Sequence, residues 1–464
     1  MKKLIAIWLG KFALFWTRAL RAGSGSSLPG LLAEKIDKNI LGKLAGKLKY
    51  GVIIITGTNG KTTTAKMLSE ILADEGFSVL HNPSGSNLTR GIASALIFAT
   101  NLFGTRIHSD IAVFEIDEAT MPEATSKIRP KFVLVTNLFR DQLDRYGELD
   151  KTAAIIGSSL RGFSNTTTIL NADDPLVANL SKYASGPVKY FGIEDPNIST
   201  KSTAAMDSKD CLECGHEFEY SSRYFGHLGV WKCPNCGSAR PKPQYVAQNI
   251  KLTPETSTFE LKLSAEKLNV EMQISGLYNV YNAAAAAAAA EIAGGGGPAI
   301  SQALRDFSAA FGRMEQLEIE GRNAMLLLVK NPTGANQAFA SVLSDAKPKN
   351  LLFALNDNFA DGTDVSWIWD IDFESENLSP HTFAASGIRA EDMALRLKYA
   401  GIDPKKIALE KNPAKAVSGL AKLTPKGETC YVFPTYTAMI EIRNAFSPKE
   451  DDLSELGKVT KHGV

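Results

Sequence analysis

Cysteine is scarce in this chain, five in 464 residues, so no disulfide framework holds it together and a reducing cytoplasmic setting is expected. Charge of one sign is missing as well. The formal net charge is +1 and no long basic run occurs, so nucleic acid is not expected as a partner. No uncharged apolar run reaches membrane-crossing length. The segment Met1 to Ala22 is basic and apolar and carries Trp8, Phe12, Phe15 and Trp16, but Lys11 and Arg18 interrupt it, and no small-residue cleavage site follows. It reads either as an amphipathic helix touching the inner face of the membrane, or as a helix that packs its aromatic stripe on the next domain. The second is the commoner fate of such a stripe.

What the chain does have is organised around Val52 to Thr64. Val52-Ile53-Ile54-Ile55 is a run of β-branched residues that predicts a buried parallel strand. A tight glycine-containing turn and Lys61-Thr62-Thr63-Thr64 follow, and then Ala65 to Leu72 with helical apolar spacing. A strand, a glycine turn and a helix N-terminus make a phosphate site. Backbone N–H groups face the anion, Lys61 adds a point charge, and the Thr62 hydroxyl is placed to ligate Mg²⁺. The spacing differs from the common P-loop, which needs a glycine where this chain has Ile55.

From this loop the chain alternates strands and helices. Strands are expected at 77–80, 110–116, 131–137 and 167–171, with helices at 28–48 and 92–100. Such alternation predicts a parallel sheet covered on both faces, with ligands at the carboxyl ends of the strands. The alternation breaks near Met206 and resumes after Pro243. Ala283 to Ala290, preceded by Tyr278 to Asn282 and followed by Gly294 to Gly297, reads as a close-packed helix with a glycine stop. A second, smaller α/β unit follows, with strands at 324–329, 350–355 and 429–433 and a helix at 390–399. A charged tail begins near Ser447.

Two constellations carry chemistry beside the loop. Cys211-Leu212-Glu213-Cys214 and Cys233-Pro234-Asn235-Cys236 stand eighteen residues apart, and four thiolates at knuckle spacing close a tetrahedral shell around a structural zinc. His216 and His227 are spare ligands that the shell does not need. Glu115-Ile116-Asp117-Glu118 ends a strand where the sheet presents ligands, and Glu115 is the expected Mg²⁺ ligand because Asp117 and Glu118 lie further from the strand. The polar loop His81 to Asn87 and the stretch Asn171-Ala172-Asp173-Asp174-Pro175 are weaker signals; the latter reads equally as a helix cap.

The loop Gly57-Thr58-Asn59-Gly60-Lys61-Thr62, Glu115, Asn171 to Pro175 and the Asn279-x-x-Asn282-x-x-Ala pattern together resemble the central domain of the Mur ligases, part of which folylpolyglutamate synthases share. The Cys₄ insertion, Lys330 to Gly334 and Asn356 to Asp370 depart from ordinary members and resemble the MurT family, the ATP-using subunits of lipid II isoglutaminyl synthases. The resemblance runs from the N-terminal helix to about residue 445. It implies an α/β fold in which an N-terminal helical segment (1–48) precedes a Mur ligase-like central ATP-binding domain on a parallel sheet (49–310). A zinc ribbon is inserted at 206–243, and a C-terminal MurT-type domain (311–446) and the charged tail (447–464) follow.

The resemblance also implies an activity. Members of that family occur in Gram-positive bacteria and pair as heterodimers with a GatD-like class I glutaminase. Together the two subunits amidate the α-carboxyl of D-glutamate in the lipid II stem peptide, giving D-isoglutamine. ATP activates the carboxylate as an acyl phosphate, and ammonia from glutamine displaces the phosphate. Carried onto this chain, Gly57, Thr58, Asn59, Gly60, Lys61, Thr62 and Thr63 hold the phosphates, and Thr62 and Glu115 hold Mg²⁺. Asn279 or Asn282 lies near the adenine, and Arg313, at the start of the C-terminal domain, is expected at the nucleotide. Asp364 reaches into the partner to orient the histidine of its Cys-His pair. Cys430 lies in an apolar strand with no nucleophile-elbow pattern, so the chain carries no glutaminase of its own. The alternative is a partner-independent Mur-type or folylpolyglutamate-type amino acid ligase, which explains the ATP site but neither the Cys₄ ribbon nor the 361–370 loop.

Overall fold

The computed structural model describes residues 1–19, 27–82, 87–140, 149–199, 206–308, 313–345 and 347–447. The middle of the polar loop at 83–86, the Arg313 side chain and the tail beyond 447 lie outside the described residues. The β-branched run forms β1 (Gly51–Thr56), and its side chains divide between two cores. Ile53 and Ile55 face helices Lys61–Asp74 and Leu277–Ala293, while Val52 and Ile54 face helices Ile40–Ala45, Thr89–Ala99 and Met121–Ile128. Burial on both faces is what a central parallel strand requires.

Around β1 lie β2 (Val79–His81), β3 (Ile111–Glu115), β4 (Phe132–Val135), β5 (Thr167–Asn171) and β6 (Val188–Ile193). After the hairpin β7 (Glu219–Phe225) and β8 (Leu228–Lys232), the main sheet resumes with β9 (Tyr245–Leu252), β10 (Ser257–Lys262) and β11 (Lys267–Met272). The order is β11-β10-β9-β6-β5-β4-β1-β3-β2, parallel from β2 to β9 and antiparallel through β10 and β11. β1 sits between β3 and β4, so the chain leaves to one side, returns, and continues on the other. The carboxyl end of β1 is therefore the switch point where a ligand crevice opens. The alanine run is buried throughout, and its small side chains let helix Leu277–Ala293 lie along Lys61–Asp74 before Gly294 (φ +108°) ends it.

The second sheet comprises β12 (Arg313–Ile319), β13 (Arg322–Leu327), β14 (Asn350–Ala354), β15 (Thr382–Ser386), β16 (Ile407–Glu410) and β17 (Thr429–Pro434). Its order is β12-β13-β17-β14-β15-β16, antiparallel only at β12–β13. One apolar core runs from the central sheet through Met314, Leu327 and Ala338 to Phe353 and Phe433, so the two units meet across a shared cleft.

Two expectations for the N-terminal segment fail. The stretch 28–48 is not one helix but two, Leu28–Ile36 and Ile40–Ala45. Buried Asp37 breaks it by accepting from the Asn39 N–H (3.2 Å) and the Lys43 Nζ (2.6 Å), a local competitor of helical bonding. In helix Lys2–Ala19 the aromatic stripe does not pack on the next domain. The buried face is Ala6, Ile7, Gly10, Ala13 and Leu14, and the aromatics Trp8, Phe12, Phe15 and Trp16 are exposed. Small residues favour this: a Cβ on Gly10 would stand 3.1 Å from Ile97 and 3.4 Å from the Pro29 C=O, so the Ala/Gly face lies close on helices Leu28–Ile36 and Thr89–Ala99.

Candidate nucleotide site

The glycine turn after β1 is held before any ligand arrives. Gly57 (φ +122°) and Gly60 (φ +85°) occupy left-handed backbone. A Cβ at Gly57 would collide with the Thr136 hydroxyl, and one at Gly60 with the Asn282 amide, so no other residue fits either place. The segment after β4 grips the turn. The Thr58 N–H donates to the Asn137 C=O (2.8 Å), the Asn59 N–H to Asn137 Oδ1 (2.9 Å), and the Phe139 N–H to Thr58 Oγ1 (3.0 Å). Helix Lys61–Asp74 starts here, with its first turn of N–H donors and its dipole directed at the crevice.

Lys61 is buried. Its Nζ donates to Glu118 Oε1 (3.1 Å) and Oε2 (3.3 Å), and to the Gly57 C=O. Burial pushes the Glu118 carboxyl above its ordinary range, and Lys61 opposes that rise. Glu115 ends β3 level with Ile55 of β1, and Asn82 clamps its peptide, accepting its N–H (2.9 Å) and donating to its C=O (2.9 Å). The metal-ligand candidate is thus fixed at the mouth of the phosphate loop. Glu118, set aside from the sequence as too far along the turn, is the acid that meets Lys61. The chain folds back there into a short 3₁₀ helix (Glu118–Thr120) capped by Asp117, which distance along the sequence cannot reveal.

Asn282 lies on the phosphate loop itself, accepting from Thr64 Oγ1 (3.3 Å) and donating to Asn279 Oδ1 (3.3 Å). Asn279 donates in turn to the Ser275 C=O (2.7 Å). From the second sheet, Asn331 caps helix Pro332–Val342, and its amide donates to Asn59 Oδ1 (3.1 Å). Lys330, Asn331 and Thr333 line the same cleft as Asn59, Gly60 and Thr63, and the buried Thr333 hydroxyl has no hydrogen-bond partner among the described residues. The Lys330 to Gly334 stretch, given no role from sequence, is the second wall of the site.

Asn171 to Pro175 is more than a cap. Asp174 accepts from Leu176 and Val177, but also from the Leu138 N–H (2.7 Å), bracing the segment that grips the loop. Asp173 joins Arg240 (2.6 Å), the Tyr281 hydroxyl (2.6 Å) and the Ile193 N–H (2.8 Å) in the core. Burial raises the Asp173 carboxyl, and the Arg240 guanidinium works against that.

The four thiols come together as expected. Cys211 and Cys236 Sγ stand 3.5 Å apart, as do Cys214 and Cys233, and all four lie within 4.8 Å of one another. Zn–S bonds of about 2.3 Å in a tetrahedron separate sulfurs by roughly 3.8 Å, so the donor set fits that metal. Neither His216 nor His227 joins it. The Asn235 side chain and the His216 backbone bring the Cys214 thiol down to about 6. The ribbon is no remote appendage. Phe225, at the tip of the β7–β8 hairpin, stacks on Phe139 (centroids 5.8 Å apart), meets Tyr281 edge-on (5.6 Å) and lines the cleft. Beside it, buried His227 packs on Phe139 (4.6 Å).

Asp364 stands apart from this cleft, exposed in the loop after β14. The Ser366 N–H (2.8 Å) and side chain hold its carboxyl below the usual range, so it is ionised at neutral pH. Arg140 connects the two places. It follows Phe139 directly, pairs with Asp370 at the end of the Asp364 loop, and donates its N–H to Asp207 (2.9 Å) ahead of the ribbon. Cys430 is buried in β17 with its thiol pushed up to about 11, as suits an inert core residue.

Residues 55–230 match the Mur ligase middle domain, and residues 328–439 match the MurT ligase C-terminal family. The chain is 35% identical over 437 residues to the lipid II isoglutaminyl synthase (glutamine-hydrolyzing) subunit MurT of Streptococcus pneumoniae, covering 93% of this chain and 94% of that one. It is 34% identical to the protein of the same description from Staphylococcus aureus, covering 95% and 96%. Among solved structures, a pseudomurein peptide ligase type C from Methanothermus fervidus superposes with a TM-score of 0.66 at 23% identity, over 87% of this chain and 79% of that one. That likeness carries the fold.

Proposed function

The chain belongs to the MurT family of lipid II isoglutaminyl synthase subunits, and from that premise we propose that it is the ATP-using half of a glutamine-dependent amidotransferase. Its substrate is the α-carboxyl of D-glutamate in the lipid II stem peptide, and its product is D-isoglutamine. Its partner is a GatD-like glutaminase, in a heterodimer that works at the inner face of the membrane. The observation that carries this reading is the preformed phosphate loop, with Lys61 inside it, walled on the far side by Lys330 to Gly334.

A carboxylate is a poor electrophile. Transfer of the ATP γ-phosphoryl group to its oxygen makes an acyl phosphate and releases ADP. Ammonia then attacks the acyl carbon, phosphate leaves with the bonding electrons, and the nitrogen loses a proton. Gly57 to Thr63 orient the phosphates, and Lys61 neutralises charge that builds during transfer. Thr62 and Glu115 would hold Mg²⁺, which supplies Lewis-acid neutralisation of the phosphate oxygens. Asn282 and Asn279 sit beside the loop, and they and Arg313, which opens β12, are assigned to the nucleotide. Cys211, Cys214, Cys233 and Cys236 hold a structural zinc. Ionised Asp364 is exposed for the partner's histidine.

The test is ATP turnover by this chain on lipid II with ammonium as donor, the product read by mass. A product in which NH₂ replaces OH is expected. No product with ammonium, but product with a free amino acid, would assign the chain to the ordinary ligases.

A further inference from the structure

Large apolar side chains stand in solvent on two adjoining segments. Helix Lys2–Ala19 exposes Trp8 (52%), Phe12 (61%), Phe15 (66%) and Trp16 (46%), and the loop after helix Thr89–Ala99 exposes Leu102 (59%) and Phe103 (68%). Hydrogen bonds fasten the two together: Trp8 Nε1 donates to the Leu102 C=O (2.8 Å) and Lys3 Nζ to the Gly104 C=O (2.9 Å). The helix is already buried on its Ala/Gly face, so this patch is what remains after it has docked on its own chain. Single exposed apolar residues are ordinary, but an adjoining group of this size marks a contact surface.

The charges say what covers it. Residues 1–16 contain Lys2, Lys3 and Lys11 and no carboxylate, with Lys2 exposed and Lys11 half-buried on the Phe98 C=O (3.2 Å). Beside the loop, Lys47 reaches the Thr105 C=O (3.1 Å) and Arg106 is exposed. Aromatic side chains rimmed by cations match an anionic bilayer, with rings at the boundary of headgroups and acyl chains and cations among the phosphates. Among the described residues no helix is long and apolar enough to cross a membrane. We propose that Trp8, Phe12, Phe15, Trp16, Leu102 and Phe103 form a docking face for an anionic lipid surface.

The fold ties this face to the phosphate site. Helix Thr89–Ala99 has 11 residues, hence a length of about 16 Å. At one end lies Asn87, whose C=O accepts the Asp117 N–H next to Glu118, and at the other lies the Leu102–Phe103 loop. The docking face thus lies at one end of a helix whose other end meets the segment carrying Glu118, the partner of Lys61. That suits a lipid-linked substrate, a point that rests on the proposed function, whereas the docking itself does not.

The experiment uses the full chain and two sets of vesicles, phosphatidylcholine alone and phosphatidylcholine with phosphatidylglycerol. Wild type is expected to sediment with the anionic vesicles, to release with salt and to shift its tryptophan emission to shorter wavelength. The double variant Phe12→Ser/Phe15→Ser, changed only at exposed positions, should bind at least about tenfold more weakly. Its turnover on a water-soluble, short-chain lipid II analogue should match wild type, while its turnover on lipid II in vesicles should fall. No sedimentation of wild type with anionic vesicles, or equal binding by the variant, would overturn the proposal. So would a wild-type dimer that the double variant abolishes, which would give the face to a second copy. Vesicle binding without amidation would leave the docking face standing and remove only the reaction.

Discussion

At the scale of single residues, the pair Lys61–Glu118 governs the site. Lys61, assigned to phosphate on the proposed function, is held by the buried Glu118 side chain (3.1 Å). Lys61→Ala is expected to lower ATP turnover on the order of a hundredfold or more. It also leaves Glu118 buried without its partner, which costs about 3–5 kcal/mol unless the acid protonates. Thermal melts should therefore show a loss for Lys61→Ala and recovery in Lys61→Ala/Glu118→Gln, with turnover still absent. If turnover returned with stability, Lys61 would be structural. A pH series isolates Glu118 itself. Its folded carboxyl lies above the ordinary 4.5, so its contribution to stability is full below that value and is lost as pH rises through the raised folded value. Between pH 4.5 and 8 the wild-type melting temperature should fall more than that of Glu118→Gln, by about 2 °C or more. Parallel curves would mean the carboxyl is not perturbed.

At the scale of elements, the phosphate loop depends on neighbours far away in sequence. The segment 136–139 grips it, Asn171 to Pro175 braces that segment, and the β7–β8 hairpin puts Phe225 and His227 beneath it. With the proposed zinc in its four thiols, a ribbon that supports the loop would couple metal to nucleotide. Stripping metal with a chelator should lower the melting temperature and weaken ATP binding about tenfold, the equivalent of about 1.4 kcal/mol of lost support at the Phe225 wall. Calorimetric titration of nucleotide into chelated and zinc-restored protein measures it. Unchanged affinity after complete metal loss would make the ribbon an independent module.

At the scale of the whole molecule, two mostly parallel sheets share one apolar core and close a cleft whose walls come from residues some 270 positions apart, Asn59 and Asn331. The Asp364 loop lies outside that cleft and is tied toward it by Arg140, which follows the residues that hold the phosphate loop, and by the Asp372 N–H, which donates to Asn336 Oδ1 (2.8 Å) on helix Pro332–Val342. On the proposed function the two chemistries are set apart in space. In the complex, Asp364→Asn should cut glutamine hydrolysis on the order of a hundredfold or more while leaving amidation with supplied ammonium within about twofold. Assaying both donors on one preparation decides it, and equal loss of the two would place Asp364 in the synthetase site.

Much of this was legible in the chain alone because it depends on local chemistry. A β-branched run, two glycines and a Lys-Thr pair specify strand, turn and helix within fourteen residues. Two Cys-x-x-Cys knuckles bring their thiols together through short turns, and the alternation of strands and helices dictates parallel sheets. These are short-range properties, and the sequence by itself determined them. What only the tertiary structure decided depends on groups that meet from distant positions or on which face a helix buries. It made Glu118 the partner of Lys61, because a 3₁₀ turn redirects the chain after β3. It brought Asn331 and Phe225 to the nucleotide cleft, because sheet order places their loops there. And it turned the aromatic stripe of the first helix outward, because Ala6, Gly10 and Ala13 allow a closer approach to the protein than rings do.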